Sequence, residues 1–348
     1  MNRILQTAIF ISLFLAIYIS LNSYVTLRLG SLLGIKRYYL YFVIAFVTLG
    51  LPATMFIENR FPNIITKVIY TVSALWMGAL LFLFVTLILY ELIRPFYSVP
   101  FAGFIILGIT LILSFISIIN ASTIAVKHIN VPLGANVTIA QISDLHVGTI
   151  RNSAYLKEIA YLINKEDPDI VMITGDLVDA SAPLHKSMFS PFNQLRAPVY
   201  FVTGNHETYE GVDKVYALFE GTKITPLKNQ AVKWDGIQVV GIEFSTDKTY
   251  LKQQLSKMNI TQPSVLMYHP PMSMEDAKAA GINLQLSGHT HNGQIFPFNF
   301  IVQLVFNKIR GLYDLDDFYL YISPGTGTWG PYMRLGSRNE ITIIKLNV

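Results

Sequence analysis

The sequence predicts a four-helix transmembrane region followed by an α/β domain, and two features of its composition support this. The 348-residue chain is 52% hydrophobic and only 14% charged, whereas soluble domains carry roughly 25% charged residues. The charge is also uneven. Residues 1–130 hold eight Lys or Arg and two acidic residues. The remainder of the chain holds 18 of its 26 basic residues and 20 of its 22 acidic residues. We therefore predict a transmembrane region at 1–127 and a folded domain at 131–348.

Four long apolar runs make up the predicted transmembrane region. A helix needs about 20 apolar residues to cross the roughly 30 Å of bilayer hydrocarbon. The runs cover about 4–27, 38–57, 66–90 and 99–120. A cleaved signal peptide is the alternative for the first run, but the apolar part of such a peptide spans roughly 7–15 residues. The prediction is therefore four membrane helices.

The transmembrane region is expected to act as an anchor. Its runs contain no acidic residue, and the alternative, a transporter, would need ionisable carriers along its pathway. Arg28, Lys36 and Arg37 crowd the gap between the first two runs, which favours the cytoplasmic side for that gap. We therefore expect a multi-pass protein of the cell membrane whose second domain lies on the extracytoplasmic side.

The composition also limits the chemistry and the partners. The basic excess of residues 1–130 gives the chain its pI of about 9.0, while the later part carries two more acidic than basic residues. No nucleic-acid partner is therefore expected. The chain has no Cys, which excludes disulfides and thiol nucleophiles. Any metal ion must be held by His, Asp, Glu or Asn.

The second half repeats one pattern, in which a short apolar strand runs into a polar tip. This is typical of α/β sheets, whose ligands gather at the carboxyl ends of the strands. The strands are expected at about 137–142, 170–173, 198–202, 264–267 and 284–286. Five of the seven histidines follow these strands, namely His146, His206, His269, His289 and His291.

A site for two metal ions accounts for this pattern. Burying so many imidazole and carboxylate groups together would be costly without a cation. Asp144 and His146 are expected to point to the same side, because side chains alternate with period two along an extended chain. The same argument applies to His289 and His291. Glycine precedes three of the candidate tips and allows a close approach of the backbone, at Gly175, Gly204 and Gly288.

These tips resemble the five motif blocks of the calcineurin-like metallophosphoesterases, in the bacterial membrane-associated branch of that family. The blocks are Asp144-x-His146, Gly175-Asp176-x-x-Asp179, Gly204-Asn205-His206-Glu207, His269 and Gly288-His289-x-His291. They occur in the order of the family, and the resemblance extends over 131–348. It implies a four-layer α/β/β/α sandwich with two metal ions at one end.

The resemblance also implies a role for each motif residue. Asp144, His146 and His291 would ligate the first metal ion. Asn205, His269 and His289 would ligate the second, and Asp176 would bridge both. His206 would be the acid near the leaving group, and Asp179 would orient it or serve only as a loop cap. Ligation by nitrogen and oxygen without sulfur suits Mn, Fe or Zn.

Three features outside this set have open interpretations. Glu207 is either a partner behind the ligands or an exposed loop acid. Arg334 either grips a phosphate or pairs with an acid. The segment from Phe298 to Arg310 has an apolar helical face, which would either cover the core or dip into the membrane interface beside the site.

The leading hypothesis is a membrane-anchored phosphohydrolase that depends on two divalent metal ions and cleaves a phosphoester, with a lipid-linked molecule as one candidate substrate. A pyrophosphohydrolase of a nucleotide-linked lipid is the alternative within the same chemistry. The alternative of another class is a non-catalytic membrane sensor built on a phosphoesterase fold. The complete ligand set favours the enzyme, because a sensor has no physical need for every ligand.

Overall fold

The computed structural model describes residues 3–180 and 182–347, with residues 3–11 as backbone only. The chain divides into two compact units. One comprises Met1–Ile118 and Gly330–Met333, and the other comprises Ile119–Trp329 and Arg334–Val348.

Long helices form the first unit, as the four apolar runs predict. They are α1 (Arg3–Leu32), α2 (Arg37–Arg60), α3 (Ile64–Ile93) and α4 (Ala102–Ser122). By length and composition, four helices of the described chain are able to cross a membrane. Most of them extend a few residues beyond the predicted runs. The prediction of four membrane helices is confirmed to that extent.

Polar contacts join α1 and α3 at two levels. Trp76 of α3 donates its indole N–H to Asn22 Oδ1 of α1, at 2.9 Å. Near the helix ends, Arg28 Nε lies 2.5 Å from Glu91 Oε1, and Arg94 Nε lies 2.8 Å from Glu91 Oε2. Charged side chains in membrane helices are tolerated when they pair in this way. These pairs therefore fit membrane helices that pack against each other.

Two six-stranded sheets form the centre of the second unit. The first sheet has the order β1-β12-β2-β3-β4-β5, and the second has the order β10-β11-β9-β8-β7-β6. The strands are β1 (Ile124–Asn130), β2 (Thr138–Ile142), β3 (Ile170–Thr174), β4 (Val199–Val202), β5 (Ile224–Pro226), β6 (Gln230–Trp234), β7 (Ile237–Gly241), β8 (Ser264–Met267), β9 (Leu284–Ser287), β10 (Gly311–Asp314), β11 (Tyr319–Ile322) and β12 (Asn339–Lys345).

Parallel pairing places the ends of the central strands together. Strands β2 to β5 run parallel in the first sheet, and β7, β8, β9 and β11 run parallel in the second. Parallel neighbours end at the same edge of a sheet, so the loops that follow them share one edge.

Alternating side chains divide the unit into four layers. In β3, Ile170 and Met172 join a core between the two sheets, while Val171 and Ile173 join a core under the helices on the outer face. A third core covers the other face of the second sheet. The shorter helices are α5 (Ser153–Glu166), α6 (Asn205–Glu210), α7 (Val212–Leu218), α8 (Tyr250–Leu255), α9 (Met274–Ala279) and α10 (Phe298–Val305), with 3₁₀ segments at Lys186–Gln194 and His291–Gly293. The predicted α/β/β/α sandwich is confirmed.

The first strand of this sandwich lies outside the predicted limits of the domain. Strand β1 pairs in parallel with β12, in register from Ile124 opposite Asn339 to Asn130 opposite Lys345. It is an edge strand that is only partly buried, so its sequence lacks the continuous apolar run of a central parallel strand. A start at residue 131 therefore leaves this strand out.

Helix α10 forms where the apolar segment after residue 297 predicts a helix. The interpretation that it covers the core is wrong, because α10 contains no buried residue. Leu304 is 86% exposed and Val305 is 70% exposed.

Candidate metal centre

The predicted site residues follow strands of both sheets. In the first sheet, Asp144 and His146 follow β2, Asp176 follows β3, and Asn205 opens α6 after β4. In the second sheet, His269 follows β8, and the pair at 289 and 291 follows β9. Because the strands are parallel, the loops converge at one end of the sandwich. The structure brings the seven predicted ligands to this region, and all but His289 are buried.

One cluster consists of Asp144, His146 and His291, whose ligand atoms all lie within 4.8 Å of one another. The two imidazole Nε2 atoms are 3.1 Å apart, and His291 Nε2 is 3.4 Å from Asp144 Oδ1. Ligands about 2.0–2.1 Å from one metal ion lie roughly 3 Å apart. These distances therefore fit donor atoms that share a cation.

A second cluster consists of Asp176, His269 and His289, again with ligand atoms within 4.8 Å of one another. His269 Nε2 lies 3.2 Å from Asp176 Oδ2 and 3.2 Å from His289 Nδ1. His269 Nδ1 lies 2.8 Å from the Thr174 carbonyl oxygen, so that nitrogen donates its proton there. The Nε2 atom is then the nitrogen available to a metal ion.

One oxygen of Asp176 lies between the two clusters. Besides its contact with His269, Asp176 Oδ2 is 4.0 Å from His146 Nε2. The other oxygen, Oδ1, accepts the backbone N–H of His206 at 2.9 Å. This hydrogen bond fixes the carboxylate in an orientation that suits a ligand shared by two metal ions.

Asn205 supplies a polar atom that needs a partner. Its Oδ1 is buried and has no hydrogen-bond partner among the described residues. A buried carbonyl oxygen without a partner is destabilising, and a metal ion would provide one. With this oxygen and the two clusters, the residues present fit a centre that holds two divalent ions through nitrogen and oxygen.

Burial keeps most of the imidazoles neutral. It lowers the pKa of His289 to about 4 and lowers the pKa of His146 and His291 well below the usual value. Burial opposes protonation of His269 too, but the charge of Asp176 and its hydrogen bond raise the pKa of His269 to about 9. Metal ligation requires neutral imidazoles, so three of these side chains are already in the ligating form at neutral pH.

The backbone at the site differs from the extended chain that we expected. Asp144, His146, His289 and His291 have φ values of 52°, 48°, 73° and 50°, and Asp176 has 50°. Non-glycine residues adopt this left-handed region rarely, and such strain clusters at functional sites. The prediction that each pair projects from an extended segment is therefore wrong. The chain turns left-handed at five of the seven predicted ligands, and this directs their side chains toward the site.

Two of the predicted glycines let neighbouring segments of the site approach closely. A Cβ atom on Gly204 would lie 2.1 Å from Asp176 Oδ1, and one on Gly288 would lie 2.0 Å from Ser143 Oγ. Neither position has space for a side chain. The close approach that the glycines predict is confirmed at both.

Glu207 is a buried residue that holds two of the metal loops together. Its carboxylate accepts backbone N–H groups from Asp176 at 3.0 Å, Val178 at 3.0 Å and Gly204 at 2.6 Å. Burial raises the pKa of Glu207 to about 7. Of the two interpretations of Glu207, the exposed loop acid is therefore wrong. Its role could not be read from the sequence, because all three partners are backbone groups.

Arg334 is also buried, and it holds the loops from the other side. Its guanidinium donates to the carbonyl oxygens of Pro324 at 2.7 Å and Gly327 at 2.6 Å, and to Asn339 Oδ1 at 2.8 Å. A further contact reaches the His291 carbonyl oxygen at 3.4 Å. With no exposed surface, Arg334 does not reach a phosphate, so neither of its two interpretations is correct.

His206 and Asp179 lie beside the first cluster. With His146 they form a group whose ligand atoms are within 4.8 Å of one another. His206 Nδ1 accepts the backbone N–H of Ala180 at 3.4 Å and lies 3.9 Å from Asp179 Oδ1. The second distance is too long for a hydrogen bond.

Comparison with known proteins agrees with this geometry. Residues 137–293 match the sequence model of the calcineurin-like phosphoesterase family. An uncharacterised metallophosphoesterase from Campylobacter jejuni is 31% identical over 374 aligned positions, which cover 97% of this chain and 98% of that protein. The chain belongs to the metallophosphoesterase family.

Two further relatives match about two thirds of this chain. An uncharacterised metallophosphoesterase from Helicobacter pylori is 33% identical, over 62% of this chain and 60% of its own length. A transmembrane protein with a metallophosphoesterase domain from Bos taurus is 33% identical, over 67% of this chain and 60% of its own length. The chain thus spans about 60% of the length of both relatives.

Replacing Arg334 by Met should lower the melting temperature strongly. The substitution leaves several buried carbonyl oxygens without donors, and we expect a loss of about 3 kcal/mol or more in the free energy of unfolding. Thermal unfolding of the full-length protein in detergent, followed by circular dichroism, measures this. The matched control is Arg338→Met, at an exposed position. Equal melting temperatures for the two variants would contradict the structural role of Arg334.

Proposed function

We propose that this protein is a membrane-anchored phosphohydrolase whose second unit uses two divalent metal ions to cleave a phosphoester. The observation that carries the proposal is the pair of buried clusters joined at Asp176 Oδ2, which is 3.2 Å from His269 Nε2 and 4.0 Å from His146 Nε2. Family membership supports it independently. The donor set contains only nitrogen and oxygen, so Mn, Fe or Zn would suit it.

Each ligand has a defined task in this proposal. Asp144, His146 and His291 would hold the first ion, Asn205, His269 and His289 would hold the second, and Asp176 would contact both. Two such ions, when bound, make water a nucleophile near neutral pH and stabilise the charge that develops during in-line phosphoryl transfer. Asn205 is a neutral ligand, and it therefore limits the negative charge that an incoming phosphate meets.

His206 is the proposed proton donor to the leaving group. Its Nδ1 accepts the N–H of Ala180, so the neutral ring carries its proton on Nε2. That proton is available to an alkoxide that would otherwise leave poorly. We propose that Asp179, whose Oδ1 lies 3.9 Å from Nδ1, orients the ring of His206.

The proposal also includes a substrate class, which is a lipid-linked phosphoester. Helix α10 exposes Phe300, Ile301 and Leu304 at 57%, 54% and 86%. The chain after α10 packs on the metal loops, since the Phe306 ring lies 5.5 Å from that of His289. An exposed apolar helix beside a hydrophilic centre suits a substrate with an acyl chain and a phosphorylated head. A nucleotide-linked lipid with a pyrophosphate bond is the second candidate, because the same centre can cleave it.

The location of the site outside the cytoplasm belongs to the same proposal. Arg28, Lys36 and Arg37 lie in or beside the loop between α1 and α2, which the positive-inside rule assigns to the cytoplasm. With four crossings, the second unit then lies on the opposite side. A membrane sensor that binds metal without turnover is the competing function, and an activity assay separates the two.

Replacing Asp176 by Asn should lower the metal content and the hydrolysis rate together. The amide is a weaker ligand than the carboxylate, and this side chain is proposed to contact both ions. Elemental analysis and a phosphoester assay on the purified full-length protein measure the two effects. The control is Asp213→Asn, an exposed carboxylate on α7. A folded Asp176→Asn variant with its full metal content would contradict the bridging role.

Replacing His206 by Ala should retain the metal ions but slow the hydrolysis of alkyl phosphoesters by about 10²–10⁴-fold. Nitrophenyl esters need little protonation of the leaving group, so their hydrolysis should slow much less. The ratio of the two rates is the measurement. An equal loss on both types of ester would mean that another group supplies the proton.

Replacing both Phe300 and Leu304 by Ser should slow hydrolysis of a long-chain lipid phosphate and leave its water-soluble headgroup analogue unaffected. The substitutions remove exposed apolar surface that we propose contacts the acyl chain. Tyr161→Ser is the matched control, since Tyr161 is 68% exposed on a different helix. Rates that are unchanged on both substrates would argue against lipid recognition by α10.

A further inference from the structure

A large aromatic side chain lies exposed beside His206. The Trp329 ring centroid is 6.1 Å from that of His206, with the planes at 77°, and Trp329 is 51% exposed. Most tryptophans in a folded domain bury far more of their surface. The position of Trp329 therefore suggests a contact with something outside the protein core.

The backbone of Trp329 is nevertheless tightly held. Its N–H donates to Gln294 Oε1 at 2.9 Å, and its carbonyl accepts Gln294 Nε2 at 3.0 Å. Gln294 is itself buried and follows the ligand His291 by three residues. The preceding turn is fixed by Arg334, which donates to the Gly327 carbonyl at 2.6 Å. An exposed ring on a backbone fixed in this way is preorganised for binding.

A second exposed ring lies on α6, the helix that carries His206. Tyr209 of α6 is 67% exposed, and its ring centroid is 5.6 Å from that of His206. The proton donor that we propose thus has two exposed aromatic neighbours. A leaving group that takes its proton from His206 would depart close to both rings.

We propose that Trp329, assisted by Tyr209, binds a flat ring in the leaving group of the substrate. This inference rests on the proposed role of His206, which defines where the leaving group departs. Rings stack on the faces of tryptophan and tyrosine through dispersion and quadrupole interactions, and nucleobases do so well. The substrate class is therefore a phosphoester or pyrophosphate whose departing part carries a planar ring, with a nucleotide as the clearest example.

A pair of non-hydrolysable phosphonates tests the inference by binding alone. Benzylphosphonate and cyclohexylmethylphosphonate are similar in size and charge, but only the first has a flat ring. Isothermal titration of the full-length, Mn-loaded protein should give a roughly 10-fold lower Kd for benzylphosphonate, which corresponds to one stacked ring. Trp329→Ala should remove this preference, and Trp329→Phe should retain most of it.

The matched control is Trp234→Phe, because Trp234 lies on β6 and should not affect either Kd. Melting temperatures show whether each variant is folded. Equal binding of the two phosphonates by the unaltered protein would overturn the inference. So would equal losses for both in Trp329→Ala, which would point to a structural role for this residue or to its contact with the bilayer.

Hydrolysis of the matching benzyl and cyclohexylmethyl phosphates separates this inference from the proposed function. A ring preference in binding without any turnover would contradict the phosphohydrolase and leave the ring site supported. Turnover of both esters without a ring preference would support the phosphohydrolase and contradict the ring site.

Discussion

The contact between His269 and Asp176 is the interaction on which the rest of the site depends. His269 follows β8 of the second sheet, yet both of its ring nitrogens face groups that follow or end β3 of the first sheet: Thr174 O at 2.8 Å and Asp176 Oδ2 at 3.2 Å. The imidazole therefore ties the two sheets together at the end where the ligands converge. Its raised pKa, about 9, shows how strongly that position favours a positive charge next to Asp176. A bound metal ion supplies such a charge in place of the proton.

Converging ligands require a backbone that is unfavourable in isolation. Five of the ligands have left-handed φ values, and each such residue costs of order 1–3 kcal/mol. Two buried polar side chains help to hold this conformation. Glu207 accepts three N–H groups from the loops after β3 and β4, and Arg334 donates to carbonyls of the loop after β11 and of the loop that carries His291. The framework of the site thus consists largely of contacts between side chains and backbone.

The sequence could predict the features that depend on local side-chain patterns, but not those that depend on contacts with distant backbone groups. The membrane helices and the parallel strands follow from apolar runs whose lengths and ends are visible in the residues themselves. The ligand positions follow from polar residues at strand ends, and the family motifs name them. The left-handed turns are not visible in this way, because Asp and His adopt this conformation more often than most non-glycine residues but still only in a small fraction of cases. Glu207 and Arg334 are equally hidden, since their partners are backbone groups from distant segments.

Edge elements were the least predictable part of the fold. Strand β1 has a neighbour on one side only, and its half-exposed residues resemble a linker. Helix α10 has the apolar composition of a core helix, but no residue in it is buried. In both cases the sequence shows which side chains are apolar. Whether those side chains are buried depends on which other elements the tertiary structure places beside them.

The most direct test of the central claim is anomalous X-ray scattering from crystals of the full-length protein grown with Mn. We predict two peaks at this end of the sandwich. One should lie within bonding distance of Asp144, His146 and His291, the other should lie within bonding distance of Asn205, His269 and His289, and both should lie beside Asp176. A single peak, or peaks away from Asp176, would contradict the account of a centre that two metal ions share.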